Sequence, residues 1–358
     1  MNADAHPNSI SPRPDTDANA EDAGVSSVPS SSRVPRPEFR ACPERSRRVP
    51  SSEFRVPRSA IRDPRSLPPF VSVIIPVLGE AGALRLCLEA LDRQSFPPEA
   101  FEVLVVDNGP SGEVRDCVAA FPRAAYLVEP TRSSYAARNR GLASARGNVL
   151  AFTDADCLPQ ADWIEKGAAA LLREADAGLI AGRIDVFAAE PARPTAVELF
   201  EIITAFPQAA FVEKWHFGAT ANVFTRTDTF AKVGLFNPRL QSGGDLEWGQ
   251  RVHRQGHRVA YADEVRIAHP ARRTLRELRG KTVRITRGIL DTQDGERSLS
   301  RLLRDLRSDW PRPRDVWQVC RDPRASSAGD RLRLAAIAMY VKGVRSRIRI
   351  GEFFKRKP

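Results

Sequence analysis

The chain has 358 residues and a net charge of +11, from 55 Lys and Arg against 44 Asp and Glu. That length admits one large α/β core with appendages. Its five cysteines (Cys42, Cys87, Cys117, Cys157, Cys320) lack Cys-X-X-Cys spacing, which argues against a disulfide framework or zinc site and for a reducing compartment.

Residues 1–69 are rich in Ser, Pro and Arg. Too few apolar residues recur there to offset the entropy of ordering, so a disordered low-complexity segment is expected. Arg33-Val34-Pro35 with Glu38-Phe39-Arg40 is echoed as Arg48-Val49-Pro50 with Glu53-Phe54-Arg55. One imperfect repeat is too little for a solenoid. The N-terminus has no apolar signal-peptide core.

From Phe70 the pattern becomes βαβ. Val71 to Val77 and Phe101 to Val106 are continuous apolar runs, as in strands buried on both faces. Ala124 to Val128 and Asn148 to Thr153 are two more predicted strands. Helices are expected over Leu84–Gln94, Val114–Phe121 and Ser134–Ala145, the last with Gly147 as its C-cap. Such alternation implies a parallel sheet with right-handed crossovers. Further on, a helix is expected over Asp162–Arg173 and strands over Gly178–Val186 and Gly218–Phe224. A short helix over Thr229–Val233 should stop at Gly234, and another should run from the Gly243-Gly244 pair to about Gln255. Val259–Tyr261 and Val265–Ala268 read as two short strands. From Ala271 the chain is mostly Arg-rich amphipathic helix, broken at Pro311 and Pro313. Charge follows this division: residues 271–358 hold 24 Lys and Arg against 10 Asp and Glu, whereas residues 71–270 hold 20 against 25.

The fourth strand ends in Asp154-Ala155-Asp156. Residues i and i+2 of a strand share a face, so both carboxylates can aim at one point beyond the sheet. Hard oxygen pairs of this kind suit Mg2+ or Mn2+ together with a substrate phosphate. In parallel sheets ligands lie beyond the carboxyl ends of the strands. Three such ends here carry polar groups: Gly79-Glu80, Asp107-Asn108, and Asp154 with Asp156.

These motifs, in this order, resemble family 2 glycosyltransferases over about residues 71–272. The resemblance rests on Val71-Ser72-Val73-Ile74-Ile75-Pro76 with Glu80, and on Val105-Val106-Asp107-Asn108-Gly109. It continues with Ala136-Ala137-Arg138-Asn139-Arg140-Gly141 and the strand to Asp156, then Gly244-Asp245-Leu246-Glu247-Trp248 and His269. It implies an α/β, A-type glycosyltransferase fold: a Rossmann-like, mostly parallel central sheet flanked by helices, here with a basic helical C-terminal extension. It implies inverting transfer of a sugar from a nucleotide diphosphate, UDP first among them, to an acceptor hydroxyl. Pro76, Val77, Glu80, Asp107, Arg138 and Asp154 would bind the donor nucleotide. Asp156 and His269 would hold the Mg2+ or Mn2+, Asp245 would be the catalytic base, and Glu247 and Trp248 would meet the acceptor. Asn139 would fix the local backbone. The family's usual Glu before the base is Gly244 here. The expected domains are 1–69, a catalytic domain 70–272 (nucleotide half 70–160, acceptor half 161–272), and a basic region 273–358.

A sugar-nucleotide pyrophosphorylase would need a Gly-rich phosphate loop after the first strand, where Pro76-Val77-Leu78-Gly79-Glu80 stands instead. A nucleic-acid binder using the basic tail would show interleaved aromatics or a zinc or helix-turn-helix signature; none is found, and no nucleic-acid partner is expected. The processive synthases' Gln-X-X-Arg-Trp motif is missing, and no stretch reaches the roughly 18 apolar residues of a membrane span. Single-residue transfer is therefore expected, to a glycan or lipid-linked acceptor in envelope or exopolysaccharide assembly. The enzyme would be cytoplasmic, touching an anionic inner membrane face through Leu332–Ile350, where Leu334, Ala335, Ile337, Ala338, Tyr340 and Val341 lie among Arg and Lys.

Overall fold

A computed structural model describes residues 69–292, 298–310 and 312–355. The low-complexity reading of residues 1–69 and the repeat within it fall outside the described residues, save for the last position. Eight strands form one sheet in the order β3-β2-β1-β4-β7-β6-β8-β5. The strands are β1 (Val71–Val77), β2 (Phe101–Asp107), β3 (Ala124–Val128), β4 (Val149–Thr153), β5 (Leu158–Pro159), β6 (Ala177–Phe187), β7 (Asn222–Arg226) and β8 (Arg258–Pro270). Four of the seven pairings are parallel, so the sheet is mixed rather than wholly parallel. The antiparallel β7 lies between β4 and β6.

The first half follows the apolar runs closely. β1 and β2 are buried along nearly their whole length because helices cover both faces of the sheet. Helices α1 (Ala81–Asp92) and α2 (Gly112–Ala119) pack on one face, and α3 (Ser134–Ser144) lies over β1 and β2 on the other. The two faces carry separate cores, one around Val73, Ile75, Val105 and Trp163, the other around Ile74, Phe152, Phe236 and Trp248.

Gly147 is not the C-cap of α3. The helix ends at Ala145 in extended backbone (φ −67°, ψ 134°). Gly147 is needed for a close approach instead: a Cβ there would lie 2.6 Å from the Ser72 nitrogen and 2.7 Å from the Phe70 oxygen.

Two strand predictions needed revision. Residues 218–221 are not strand; a turn closes there, with the Asn222 N–H donating to the Ala219 oxygen (3.0 Å). The Gln208 carboxamide takes up the backbone of Ala219 and Asn222 that a ladder would have used. The two short strands after Val259 are one, β8. Its register against β6 shifts between Gly182 and Arg183, and Asp263-Glu264 lie in the extra residues of that shift. Asn222 bridges the gap: its Nδ2 donates to the Arg183 (2.8 Å) and Val265 (2.9 Å) oxygens, while its Oδ1 accepts from the Trp163 indole (2.9 Å).

Helix α4 (Trp163–Arg173) covers β6 and β8. Helices α5 (Ala196–Thr204) and α6 (Gln208–Trp215) follow β6, α7 (Thr227–Val233) follows β7, and α8 (Gly244–Arg254) leads into β8. α7 stops at Gly234 as expected, in backbone (φ +87°) that favours glycine. The basic region forms α9 (Leu275–Thr292), α10 (Leu299–Asp309), α11 (Pro313–Cys320) and α12 (Ala328–Lys355). Leu334, Ile337, Ala338 and Val341 of α12 pack with Leu278 of α9 and with Val197, Leu199 and Phe200 of α5. This cluster crosses the boundary drawn at residue 272. Within the stretch expected to face a membrane, Leu334, Ile337, Ala338 and Val341 are thus covered by protein, while Leu332, Tyr340 and Ile350 stay exposed.

Candidate active site

The carboxyl ends of β1, β2 and β4 lie side by side, since β1 pairs in parallel with both neighbours. β4 stops at Thr153, and a turn closes as the Cys157 N–H donates to the Asp154 oxygen (3.1 Å). The chain then pairs Leu158 with Ala268 of β8, bringing Asp156 beside His269. Asp156 Oδ2 lies 3.7 Å from His269 Nε2. The other ring nitrogen, Nδ1, lies 2.8 Å from the Pro270 oxygen. A carbonyl only accepts, so Nδ1 carries a proton there and Nε2 is the nitrogen turned toward Asp156. Phe206 packs on the imidazole with ring centroids 4.7 Å apart. Its backbone has φ +52°, a left-handed conformation that costs an aromatic residue about 1–3 kcal/mol.

Burial raises the Asp156 carboxyl above its ordinary 3.8, and neighbouring Asp154 adds to this while His269 and Arg272 oppose it. Glu80, exposed just beyond β1, is likewise raised by desolvation and by Asp156, with Arg272 pulling the other way. Three carboxylates thus crowd one mouth, as expected where a cation is to be bound.

Asp154 is paired within the protein. Its Oδ1 accepts from Arg138 Nη2 at 2.6 Å, and Arg138 is 4% exposed. Three residues earlier on α3, the Tyr135 hydroxyl donates to Asp245 Oδ1 (3.3 Å). Asp245 is the second residue of α8, whose N-cap is Gly243, so it is not a capping residue. Burial raises its carboxyl above 3.8, against the Leu246 N–H, the Arg138 charge and the Tyr135 hydroxyl, which pull it down. Burial outweighs these pulls and the helix terminus. Asn139 fixes backbone, but of a segment 97 residues on: its amide exchanges two bonds with Phe236.

Other predicted site residues stand elsewhere. Asp107 is fully buried, and its carboxylate accepts from the Gly109 and Ser111 N–H groups and the Tyr126 hydroxyl. It closes its own loop and presents no face to a nucleobase. Val77 is 3% exposed and its carbonyl is taken by the Asn108 N–H (2.8 Å), leaving half-buried Pro76 and exposed Glu80 at the end of β1. Trp248 is not an acceptor platform: it is 1% exposed, stacked on Phe230 at 4.4 Å, and donates its indole N–H to the Gly234 oxygen. Glu247, about 200° around the helix from Asp245, holds Arg251 at 2.6 Å, which in turn ties down the Val233 and Leu235 carbonyls.

Sequence reasoning missed Tyr135, Arg272, Glu201 and Lys281. Glu201 of α5 is 2% exposed; it receives Lys281 Nζ of α9 (2.6 Å) and both the backbone N–H (3.0 Å) and guanidinium (3.1 Å) of Arg272. Burial acts against its charge, but Lys281 and Arg272 outweigh it and hold the carboxyl below its ordinary range. Arg272, three residues past His269, is thereby fixed beside the acidic mouth. Its only sequence signal was that proximity to His269.

The model of Glycosyl transferase family 2 matches residues 72–234. Glycosyltransferase AglE of Haloferax volcanii is 35% identical over 225 residues, covering 62% of this chain and 73% of its own. Validoxylamine A glucosyltransferase of Streptomyces hygroscopicus subsp. limoneus is 27% identical over 223 residues, and the match spans 52% of this chain and 49% of that enzyme. Among solved structures, the mannosyltransferase PcManGT from Pyrobaculum calidifontis, in complex with GDP-Man and Mn2+, superposes with a TM-score of 0.54 at 16% identity, over 86% of this chain and 93% of its own. That likeness shows a common fold, the A-type glycosyltransferase fold. With the family's motifs in order and a relative above 30% identity, this chain belongs to glycosyl transferase family 2 and is a glycosyltransferase using a nucleotide-sugar donor.

Proposed function

We propose a metal-dependent, inverting transfer of one sugar from a UDP-sugar to an acceptor hydroxyl, centred on Asp156, His269 and Asp245. The observation that carries this reading is the linked array at one end of the sheet. Asp156 faces His269, Asp154 is neutralised by Arg138, and Arg138 and Tyr135 reach from the same helix to Asp245.

The donor set fits a divalent cation. A carboxylate oxygen and an imidazole nitrogen face each other across 3.7 Å, in a pocket where carboxylate charge is crowded. Asp156 and His269 would hold Mg2+ or Mn2+, whose chemistry is to offset the charge that develops on the leaving diphosphate. The protein's own groups do the rest. Arg138 holds Asp154 in an ion pair and leaves Asp156 free to face His269. Arg272, clasped by Glu201, supplies positive charge beside the acids. Asp245 takes the proton of the acceptor hydroxyl, and Tyr135 holds its carboxylate in place. Attack on the face opposite the leaving group would invert the anomeric centre.

Uracil is proposed on the family resemblance, with guanine, the base in the PcManGT complex, as the competitor. The acceptor class proposed is a glycan or lipid-linked hydroxyl of envelope or exopolysaccharide assembly, which the basic residues 271–358 support. Nucleotide release from UDP-, GDP- and dTDP-sugars, with and without Mn2+, tests the donor. Mn2+-dependent release from UDP-sugars alone is expected; release from GDP-mannose alone, or without any divalent ion, would contradict the proposal.

A further inference from the structure

Helix α10 sends two aspartates inward and leaves part of its apolar surface outside. On the side facing the protein, beside half-buried Leu302 and Leu306, Asp305 and Asp309 both receive Arg349 of α12 at 2.7 Å, and Asp309 is 5% exposed. A neighbouring stripe at helical spacing is exposed, with Leu299 60%, Leu303 58% and Trp310, just past the helix end, 71% exposed. Leu306 and Trp310 share a shallow hollow with Arg307 and Arg312. A helix that spends buried positions on aspartates while Leu299, Leu303 and Trp310 stand exposed has apolar surface to be covered by something other than its own core.

We propose that α10 with Trp310 is an interfacial helix that seats the protein on an anionic phospholipid bilayer. Two observations name the occupant. The stripe is bordered by Arg304, Arg307 and Arg312, within a region of 24 Lys and Arg against 10 Asp and Glu, which complements anionic headgroups. An exposed tryptophan at the end of a leucine stripe has the amphipathic form favoured at a membrane interface, where ring and aliphatic chains enter the acyl boundary and guanidinium groups stay with phosphates. Among the described residues no helix is long and apolar enough to cross a membrane, so contact of this kind lies along the surface. The proposal is independent of which nucleotide sugar is used.

The test is co-sedimentation of the full-length protein with vesicles of phosphatidylglycerol and phosphatidylcholine, against phosphatidylcholine alone. Wild type should bind the anionic vesicles and release as salt rises. Leu303→Asp combined with Trp310→Ser should lower the partition coefficient at least about tenfold, with an unchanged melting temperature. Leu332→Ser, 74% exposed on α12, should bind as wild type. Brominated acyl chains should quench part of the tryptophan emission, and Trp310→Phe should abolish that quenching. No binding of wild type at low salt would overturn the proposal. So would equal binding by the double variant, which would mean charge alone, or a lipid-free dimer that the double variant dissolves.

Discussion

Asp245 is raised by burial and lowered by Tyr135 and Arg138, so each substitution around it has a sign. Asp245→Asn should reduce kcat by about 10²–10⁴ with little change in donor KM, as for loss of a general base. In the wild type, activity should fall as pH drops through the raised Asp245 value, so the acid limb of the rate profile should lie above the ordinary carboxylate range. Tyr135→Phe removes a hydrogen bond that favours the ionised form and should move that limb to higher pH. A limb that stays put would show that the hydroxyl does not act on the base. Stability runs the opposite way from activity. A carboxylate whose folded value is raised favours the native state only below its unfolded value, and that contribution is lost as pH rises through the folded value. Asp245→Asn should therefore melt higher than wild type at pH 7, and the difference should vanish in acid. Thermal melts at both pH values check this.

At the scale of elements, the sequence was most legible where one element's pattern decides its fate. The apolar runs of β1, β2 and β4 and the Asp154–Asp156 pair are local features, and they fixed the first half of the sheet and the acidic mouth. What was hidden depends on partners far along the chain. Gly147 looked like a cap until Ser72 and Phe70 came within its Cβ radius. Asp107 looked like a base contact until Tyr126, Gly109 and Ser111 enclosed it. Trp248 and Glu247 share a motif with Asp245, yet helical rotation sends them into the core and to Arg251. Asn222, unremarked in the sequence, joins α4, β6, β7 and β8 at the register shift. Asn222→Ala leaves the Trp163 indole and two carbonyls without partners and should cost about 1–3 kcal/mol for each one left unpaired. Urea unfolding reads this; a loss under 1 kcal/mol in total would mean that β8 closes over the gap.

For the molecule as a whole, the basic region is part of the catalytic fold's packing. Removing residues 273–358 would uncover Val197, Leu199 and Phe200 on α5 and leave Glu201 without Lys281. Such a truncation should aggregate rather than yield a smaller active enzyme, as size-exclusion chromatography would show. The clasp of Glu201 on Arg272 also ties this packing to the acidic mouth. The central claim is that Asp156 and His269 hold a divalent cation against a nucleotide diphosphate. Calorimetric titration of UDP, with and without Mn2+, on wild type and Asp156→Ala tests it most directly. Binding that requires Mn2+ and is lost in Asp156→Ala is the result this account predicts. UDP binding of equal strength with and without the ion, or unchanged in the variant, would contradict it.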